Sequence, residues 1–545
     1  MLRFRRSARM SPLRLCEAQR EYNVETAPPL RADPAYFYGY VYFRQVKDKS
    51  VPRGYLQKSV VLITHLPLIS LFAYVVQVVA SEYFESGQVS LESAAHNLNQ
   101  WPAPVPGSTL QLPLHGQLLQ LRIPSRGDGP LSPSRDLLSE ALSKKGACFP
   151  SPVLLPSVQE MDLYSHLVPV LPHLGVLWEL VLTGEPIIVM APSPTLCSEF
   201  VRCLLSLIWP LRFSAEHRPY FTIHDSEFKE FTTKTQAPPS VIIGVTNPFF
   251  AKTFQHWPHV VRLNEAVQSA ANGGSGAPLP LSGALPLPLT RRGNPSSPLV
   301  PLARVPSAGG PPPSGSGGFA KAKWTEGKLG LQTRWSGFLS KDKVFLKRLL
   351  KGLQSKRPTE VQTVLIRRHF FELTQSFMIP LERYLAGLMP LQRHISPLRG
   401  TPRARDFDPE EFLATLRAAG PHLTSGLRGD WLALYRRFFE SANFESWLSE
   451  RLVEINEKLE LLHLEALCGA DLRGAVGGRS EIELVDMVLR LREKDRFVRA
   501  HARTVPLSLQ GKLETQLRAV LALLPPDVRD VLQVGGTPEG GGPPS

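Results

Sequence analysis

The chain has 545 residues, of which 43% are apolar and 20% charged, with 51 prolines and a formal net charge of +14. This length accommodates roughly two to four domains and a sizeable core, while so much proline points to long irregular segments between them. Five cysteines (Cys16, Cys148, Cys197, Cys203 and Cys468) are scattered without CxxC spacing, so neither a disulfide framework nor a zinc site is indicated, which suits a reducing cytosol.

The basic charge is uneven. Residues 1–20 hold six arginines against Glu17, and Lys341 to Arg368 hold nine basic residues against Asp342 and Glu360. Such faces suit an acidic membrane surface or an acidic protein partner; the plainer reading is a solvated helix face. No RNP, KH, zinc-finger or helix-turn-helix signature supports nucleic acid as a partner. The Arg-rich opening overlaps the composition of mitochondrial transit peptides, but Pro12 interrupts any amphipathic repeat, so residues 1–35 are read as an irregular basic tail.

Tyr36 to Val46 is aromatic and β-branched and reads as a strand; KDKSVPRG then turns, and Tyr55 to Thr64 returns as a hairpin. The apolar run Val60 to Ala80 contains Thr64, His65, Pro67 and Gln77, each costly in lipid, so a buried strand followed by a helix from Pro67 to about Phe84 explains it better than a membrane span. Leu110 to Ile123 carries further strand pattern, and residues 124–151 lose periodicity as a linker. From 152 to 263, short apolar runs at Pro186–Met190, Tyr220–Ile223 and Val241–Val245 alternate with helical patterns, which predicts a buried, mostly parallel α/β sheet. A helix over 174–183 ends at Gly184. Ser193 caps the next, with Pro194 at its first position. Asp225 is expected as an N-cap with Glu227 in the first turn, and Asn247-Pro248 starts the helix FFAKTFQHW.

Residues 264–325 are Gly, Pro, Ser, Ala and Leu in bulk and are expected to be disordered. From Lys341 onward the pattern is helical, beginning with a stripe of Val344, Phe345, Leu349 and Leu353. Further helices are expected near 359–390, 408–419, 429–440, 443–467, 480–499 and 509–523, and 535–545 is read as a flexible tail. Trp178, Trp209, Trp257 and Trp431 sit at helical positions with apolar neighbours and read mostly as core.

The sequence contains no GxxxxGK[ST] loop, GxSxG elbow or HExxH helix. His463 and Glu465 lack a second metal-ligand spacing. His224, Asp225, Ser226 and Glu227 superficially suggest a hydrolase, but neighbours on one turn rarely align as nucleophile, base and orienter. A capping role needs no further assumption, and an α/β hydrolase is the least favoured reading.

The strings LWELVLTGEPIIV, PLRF, RPYFTIHDSEFKEF and PPSVIIGVTNPFF resemble the core of DENN-domain proteins. YFYGYVYFRQVKDKSVPRGYLQKSVVLI is similar to the end of that family's upstream longin-type module. FFELTQSFMIPLERYLAGLMPLQ and GDWLALYRRFFESANFESW resemble its downstream helical module. The resemblance implies an α/β plus all-α fold of three parts: a partial longin-like module over 36–123, an α/β core over 152–263 and a helical module over 326–534. It further implies guanine-nucleotide exchange on a Rab-type small GTPase at cytoplasmic, recycling-endosome membranes, with no covalent chemistry and no cofactor. Such a factor prefers the switch conformation that nucleotide disfavours, and by reciprocity weakens nucleotide as much as nucleotide weakens it. Nanomolar to picomolar nucleotide corresponds to roughly 12–16 kcal/mol, so an extended binding surface is expected.

The residues expected to contact the GTPase are Asp225, Glu227, Asn247 and Phe249 on exposed turns of the core, with Arg44 and Lys47 from the hairpin end; caps and solvated turns are the competing reading for each. The upstream module is expected to be shortened, which leaves a non-catalytic Rab-binding scaffold or an inactive isoform as the alternative. The segment after Leu263 is longer than a DENN linker requires.

Overall fold

The computed structural model describes residues 2–5, 17–52, 54–125, 153–155, 161–233, 237–264, 329–416, 421, 427–500 and 505–534. The linker, the Pro/Gly/Ser-rich insert and the tail expected over 124–151, 264–325 and 535–545 fall almost wholly outside these residues. The chain divides into two compact units, residues 1–375 with 423–443 and residues 376–422 with 444–545.

The described residues of the first unit form three sheets. Strands β1 (Leu2–Arg5), β2 (Tyr36–Lys47) and β3 (Tyr55–Thr64) form an antiparallel sheet with β2 in the middle. The register pairs Tyr40 with Leu62 and Val41 with Val61, so alternate residues face opposite sides. Tyr38, Tyr40, Tyr42, Val60 and Leu62 pack against Leu71, Phe72, Val75, Val76 and Val79 of helix Ile69–Ser86. The opposite face leaves Val41, Phe43, Val61 and Ile63 exposed. The strand-then-helix reading of Val60 to Ala80 therefore holds. The reading of 1–35 as an irregular tail does not. β1 pairs with β2, Glu17–Glu25 is helical, and Tyr22 and Leu30 are buried in the same core. Long-range pairing and burial of two apolar residues outweigh the poor local pattern.

A second sheet joins β4 (Thr109–Leu114), β5 (Gln117–Arg122) and β6 (Val153–Leu155). Its hairpin turns on two residues, His115 and Gly116, both at positive φ (46° and 74°), as a two-residue turn compatible with strand twist requires.

The third sheet has the order β11-β10-β7-β9-β8, made of β7 (Ile187–Met190), β8 (Glu216–Arg218), β9 (Val241–Val245), β10 (His259–Arg262) and β11 (Gly330–Thr333). The first four strands in chain order, β7 to β10, are mutually parallel, and β11 closes one edge antiparallel to β10. β7 and β9 are buried along their whole length, as parallel strands covered on both faces must be. Three expectations are corrected. The strand after the first crossover, through helix Pro194–Ser206, is Glu216–Arg218 rather than Tyr220–Ile223, and β10 and β11 carried too few apolar residues to be read as strands. The helix after Asn247-Pro248 stops at Thr253, because Phe254 and Trp257 turn into the core instead.

Helix Leu174–Leu182, which leads into β7, is almost wholly buried. Its Glu179 is 1% exposed. The Glu179 carboxylate accepts hydrogen bonds from Trp335 Nε1 (2.9 Å) and from the backbone N–H groups of Phe338 (2.9 Å) and Leu339 (2.8 Å). Burial pushes this carboxyl above its ordinary range, and the three donors oppose the rise. Trp178 Nε1 donates to Thr374 Oγ1 at 2.8 Å. Asn443 Nδ2 donates to the carbonyls of Val181 and Leu182, groups a helix end leaves without internal partners. In helix Lys343–Gln354, Phe345 and Leu349 are buried, but Val344 is 70% exposed, which removes it from the expected stripe.

In the second unit, helices Ala442–Gly469, Glu481–Ala500, Leu507–Leu521 and Pro526–Val534 contribute to a core around Leu464, Leu472, Val488, Leu491 and Val520. His463 is buried with Nε2 3.0 Å from the Arg399 carbonyl oxygen. Lys494, also buried, pairs with Glu460. Among the described residues no cluster of His, Cys, Asp or Glu could hold a metal ion.

His259 gives the first unit a pH signature. It is 3% exposed and its Nδ1 lies 2.7 Å from Thr333 Oγ1, joining β10 to β11. Burial lowers its pKa from 6.5 to about 4. The neutral ring is therefore favoured in the fold, and its contribution is complete above 6.5 and lost as pH falls towards 4. That loss is about 3 kcal/mol at ~1.4 kcal/mol per pH unit. Urea midpoints measured across this window should fall with pH, and His259→Phe should flatten the slope.

Candidate functional site

Because β7, β8 and β9 are parallel, their carboxyl ends lie together, and the strand order places the loops following β8 and β9 side by side. In open parallel sheets this is the end at which ligands and partners are met. The loop after β8 runs from Pro219 to Glu227, and that after β9 from Thr246 to Pro248.

The first loop is tied down from within. Arg218 at the end of β8 is 2% exposed, and its guanidinium lies 2.7 Å from Glu216 and 3.0 Å from Glu227. Asp225 Oδ2 accepts from Thr222 N (2.6 Å) and Thr222 Oγ1 (2.9 Å). Asp225 is thus not the N-cap expected of it. The helix starts later, at Phe228–Thr232, preceded by Glu227, which makes no capping bond because its carboxylate is held by Arg218. Asp225 closes the preceding turn instead. Gly244 in β9 completes the support: a Cβ there would lie 2.2 Å from the Pro219 carbonyl oxygen and 2.7 Å from Cys197 Sγ. Any larger residue would displace the root of the loop.

The second loop is set by Asn247, whose Oδ1 accepts from Phe249 N at 2.9 Å. Phe249 is 53% exposed and stacks on Phe228 with centroids 6.5 Å apart. Beneath them Phe221, Phe231, Phe250 and Phe254 form a buried aromatic layer. Ile223, 46% exposed, adds a second apolar contact point. The product is a rigid ridge, with Ile223, Asn247 and Phe249 presented to solvent and Asp225 and Glu227 held as its struts.

Asp225, Glu227, Asn247 and Phe249 are therefore brought together at one end of the sheet. Arg44 and Lys47 are not among them. Both are exposed at the outer end of the hairpin, where the Arg44 guanidinium lies 5.0 Å above the Phe84 ring. Sequence reasoning missed Arg218, Ile223 and Phe228. The triplet Glu216-His217-Arg218 carries no apolar strand pattern, and one of the two ion pairs that hold Arg218 there comes from Glu227, nine residues on.

Residues 55–264 match the DENN (AEX-3) domain, and residues 472–534 match the DENND6 C-terminal domain. The human protein DENND6B is 47% identical over 516 residues, covering 94% of this chain and 80% of that protein. Mouse protein DENND6A is 45% identical over 514 residues, 94% of this chain and 78% of its own length. The DENND6 homolog of Dictyostelium discoideum is 29% identical over 512 residues, 84% of this chain and 67% of its own length. The chain belongs to the DENND6 family of DENN-domain proteins. Membership supports a role of the Rab exchange-factor type, which acts by binding rather than covalent chemistry.

The strut reading of Arg218 makes a direct prediction. Arg218→Met leaves Glu216 and Glu227 without their shared counter-ion, and loss of a buried partner costs about 3 kcal/mol. Urea unfolding of the first unit should show a loss of this size, and amide exchange over 219–227 should accelerate. An unchanged exchange rate there would remove Arg218 as the support of the loop.

Proposed function

We propose that this chain is a guanine-nucleotide exchange factor for a Rab-type small GTPase in endosomal recycling traffic, acting peripherally on the cytoplasmic face of recycling endosomes. The observation that carries the proposal is the ridge at the carboxyl end of the parallel sheet, with exposed apolar Ile223 and Phe249 on a rigid aromatic support. It offers a preorganised surface and no nucleophile–base arrangement. Exposed apolar anchors backed by fixed packing are what a protein interface concentrates its energy in. The GTPase supplies the phosphate loop and holds the Mg²⁺, so the factor needs only to favour the switch conformation that nucleotide opposes.

The three-part DENN arrangement, with a longin-like first module built on the β2–β3 hairpin, belongs to the same proposal. So do Arg44 and Lys47 as a second, electrostatic contact. Helix Lys343–Gln354 exposes Lys343, Lys347, Arg348 and Lys351, a face suited to an acidic membrane surface at roughly 1 kcal/mol per basic residue. A scaffold that binds Rab without speeding release is the second reading. It is favoured by the exposed apolar face Val41, Phe43, Val61 and Ile63, which among the described residues leaves the hairpin sheet covered on one side only.

Release of a fluorescent GDP analogue from a panel of Rab proteins tests the proposal. Acceleration on one Rab is expected, and Phe249→Ala should reduce it about 30-fold, the ~2 kcal/mol of an interface anchor. Binding without acceleration would establish the scaffold, and neither on any Rab would overturn both.

A further inference from the structure

We infer that the outer face of helix Lys343–Gln354, with the turn that follows it, docks on an anionic lipid bilayer, an inference that rests on the peripheral-membrane part of the function proposed above. Across residues 341–357 the sole carboxylate is Asp342, and its Oδ1 accepts from Phe345 N at 2.8 Å as the helix cap. The helix carries Lys343, Lys347, Arg348 and Lys351, and the turn adds Lys356 and Arg357, all exposed. Among the described residues none of the six lies within ion-pair distance of a carboxylate, whereas Arg368 on the next helix is paired with Glu372.

The face is fixed from behind. Phe345 stacks on His369 with ring centroids 3.8 Å apart, and Leu349 is fully buried. Gln362 Nε2 donates to the Leu349 carbonyl at 3.2 Å, and a Cβ on Gly352 would lie 1.8 Å from that nitrogen. With 345, 349 and 352 turned inward, the helical period sends the basic residues outward. Lys343, Lys347 and Lys351 then stand in one row at intervals of four, where like charges work against their own helix. Lys356 sits at φ 48°, in the left-handed region that suits glycine just beyond a helix end. Neither placement serves folding, which points the charge at a partner.

The chemistry of the face selects a bilayer over other polyanions. Four of the six basic residues are lysines, point charges on flexible stems rather than planar forks that grip one phosphate in pairs. Val344, 70% exposed, lies among them. The helix has one aromatic residue, Phe345, and it is buried, so no ring is offered for a base to stack on. Diffuse positive charge with an apolar residue reaching the headgroup layer is how an amphipathic helix holds an anionic surface.

Flotation of the full chain on phosphatidylcholine vesicles, with and without phosphatidylserine, tests the inference. Binding is expected only with phosphatidylserine and should fall as salt is raised. Lys347→Gln combined with Lys351→Gln should weaken it roughly 30-fold, and Val344→Ser roughly 5-fold. The lysines are exposed and glutamine keeps their helix propensity; should circular dichroism show that variant unfolded, Lys343→Gln with Arg348→Gln takes its place with the same expected loss. Lys458→Gln with Lys512→Gln, an equal change of net charge at exposed positions of the second unit, should leave binding unchanged. No flotation with phosphatidylserine, or equal weakening in both double variants, overturns the assignment. Indifference to Val344→Ser, or retention on heparin or DNA by a chain that ignores vesicles, marks a general polyanion face and overturns it too. Exchange on a soluble Rab, measured without vesicles, is scored separately: its absence beside intact flotation would fail the exchange reading and leave this face standing.

Discussion

Helix Leu174–Leu182 is the constraint on which the rest of the first unit depends. Two consecutive side chains, Trp178 and Glu179, bind segments 196 and 156–160 residues away, at Thr374 and at 335–339. Each unmet donor in that buried setting would cost about 1–3 kcal/mol, so the carboxylate holds the returning chain in one place. The requirement is topological. β11 must come back to pair with β10 after the insert, and a short antiparallel edge strand alone would specify its register weakly. Asn443 closes the same helix at its other end and also accepts from Ser214 N at 2.7 Å. One short helix thereby fixes the edge of the sheet and the approach to β8.

From that frame the site follows without special chemistry. A parallel sheet puts its loops at one end, and β9 lying between β7 and β8 makes the loops after β8 and β9 neighbours. Arg218 and Asp225 stiffen one loop and Asn247 the other. The aromatic layer under Phe249 keeps the ridge from collapsing inward. Polar residues that resemble catalytic groups, His224, Asp225 and Ser226 among them, divide into a turn closure and exposed surface. A protein that works by binding needs such rigidity more than it needs a nucleophile, because only a preorganised surface can favour one switch conformation over another.

Much of this was legible in the sequence because the strongest signals are local. The Tyr55–Thr64 strand, the Ser193-Pro194 helix start and the uninterrupted apolar run of β9 announce themselves within a few residues. What stayed hidden depends on distance. β1 is a strand only because β2 is there to receive it, and β11 because β10 and Glu179 hold it. Arg218 could enter the sheet only with Glu227 nine residues away. At the candidate site, the sequence singled out the turns after β8 and β9 but assigned Asp225 a helix cap, since a capping residue and a turn-closing one share the same side chain. It placed Arg44 and Lys47 at the hairpin end, where they lie in β2 beside the turn to β3.

Hydrogen–deuterium exchange of the full chain, alone and with the nucleotide-free Rab proposed as its partner, tests the central claim most directly. The account predicts protection confined chiefly to residues 219–228 and 246–250 of the α/β region. Protection elsewhere in the first unit, with these two loops exchanging as fast in the complex as alone, would contradict it.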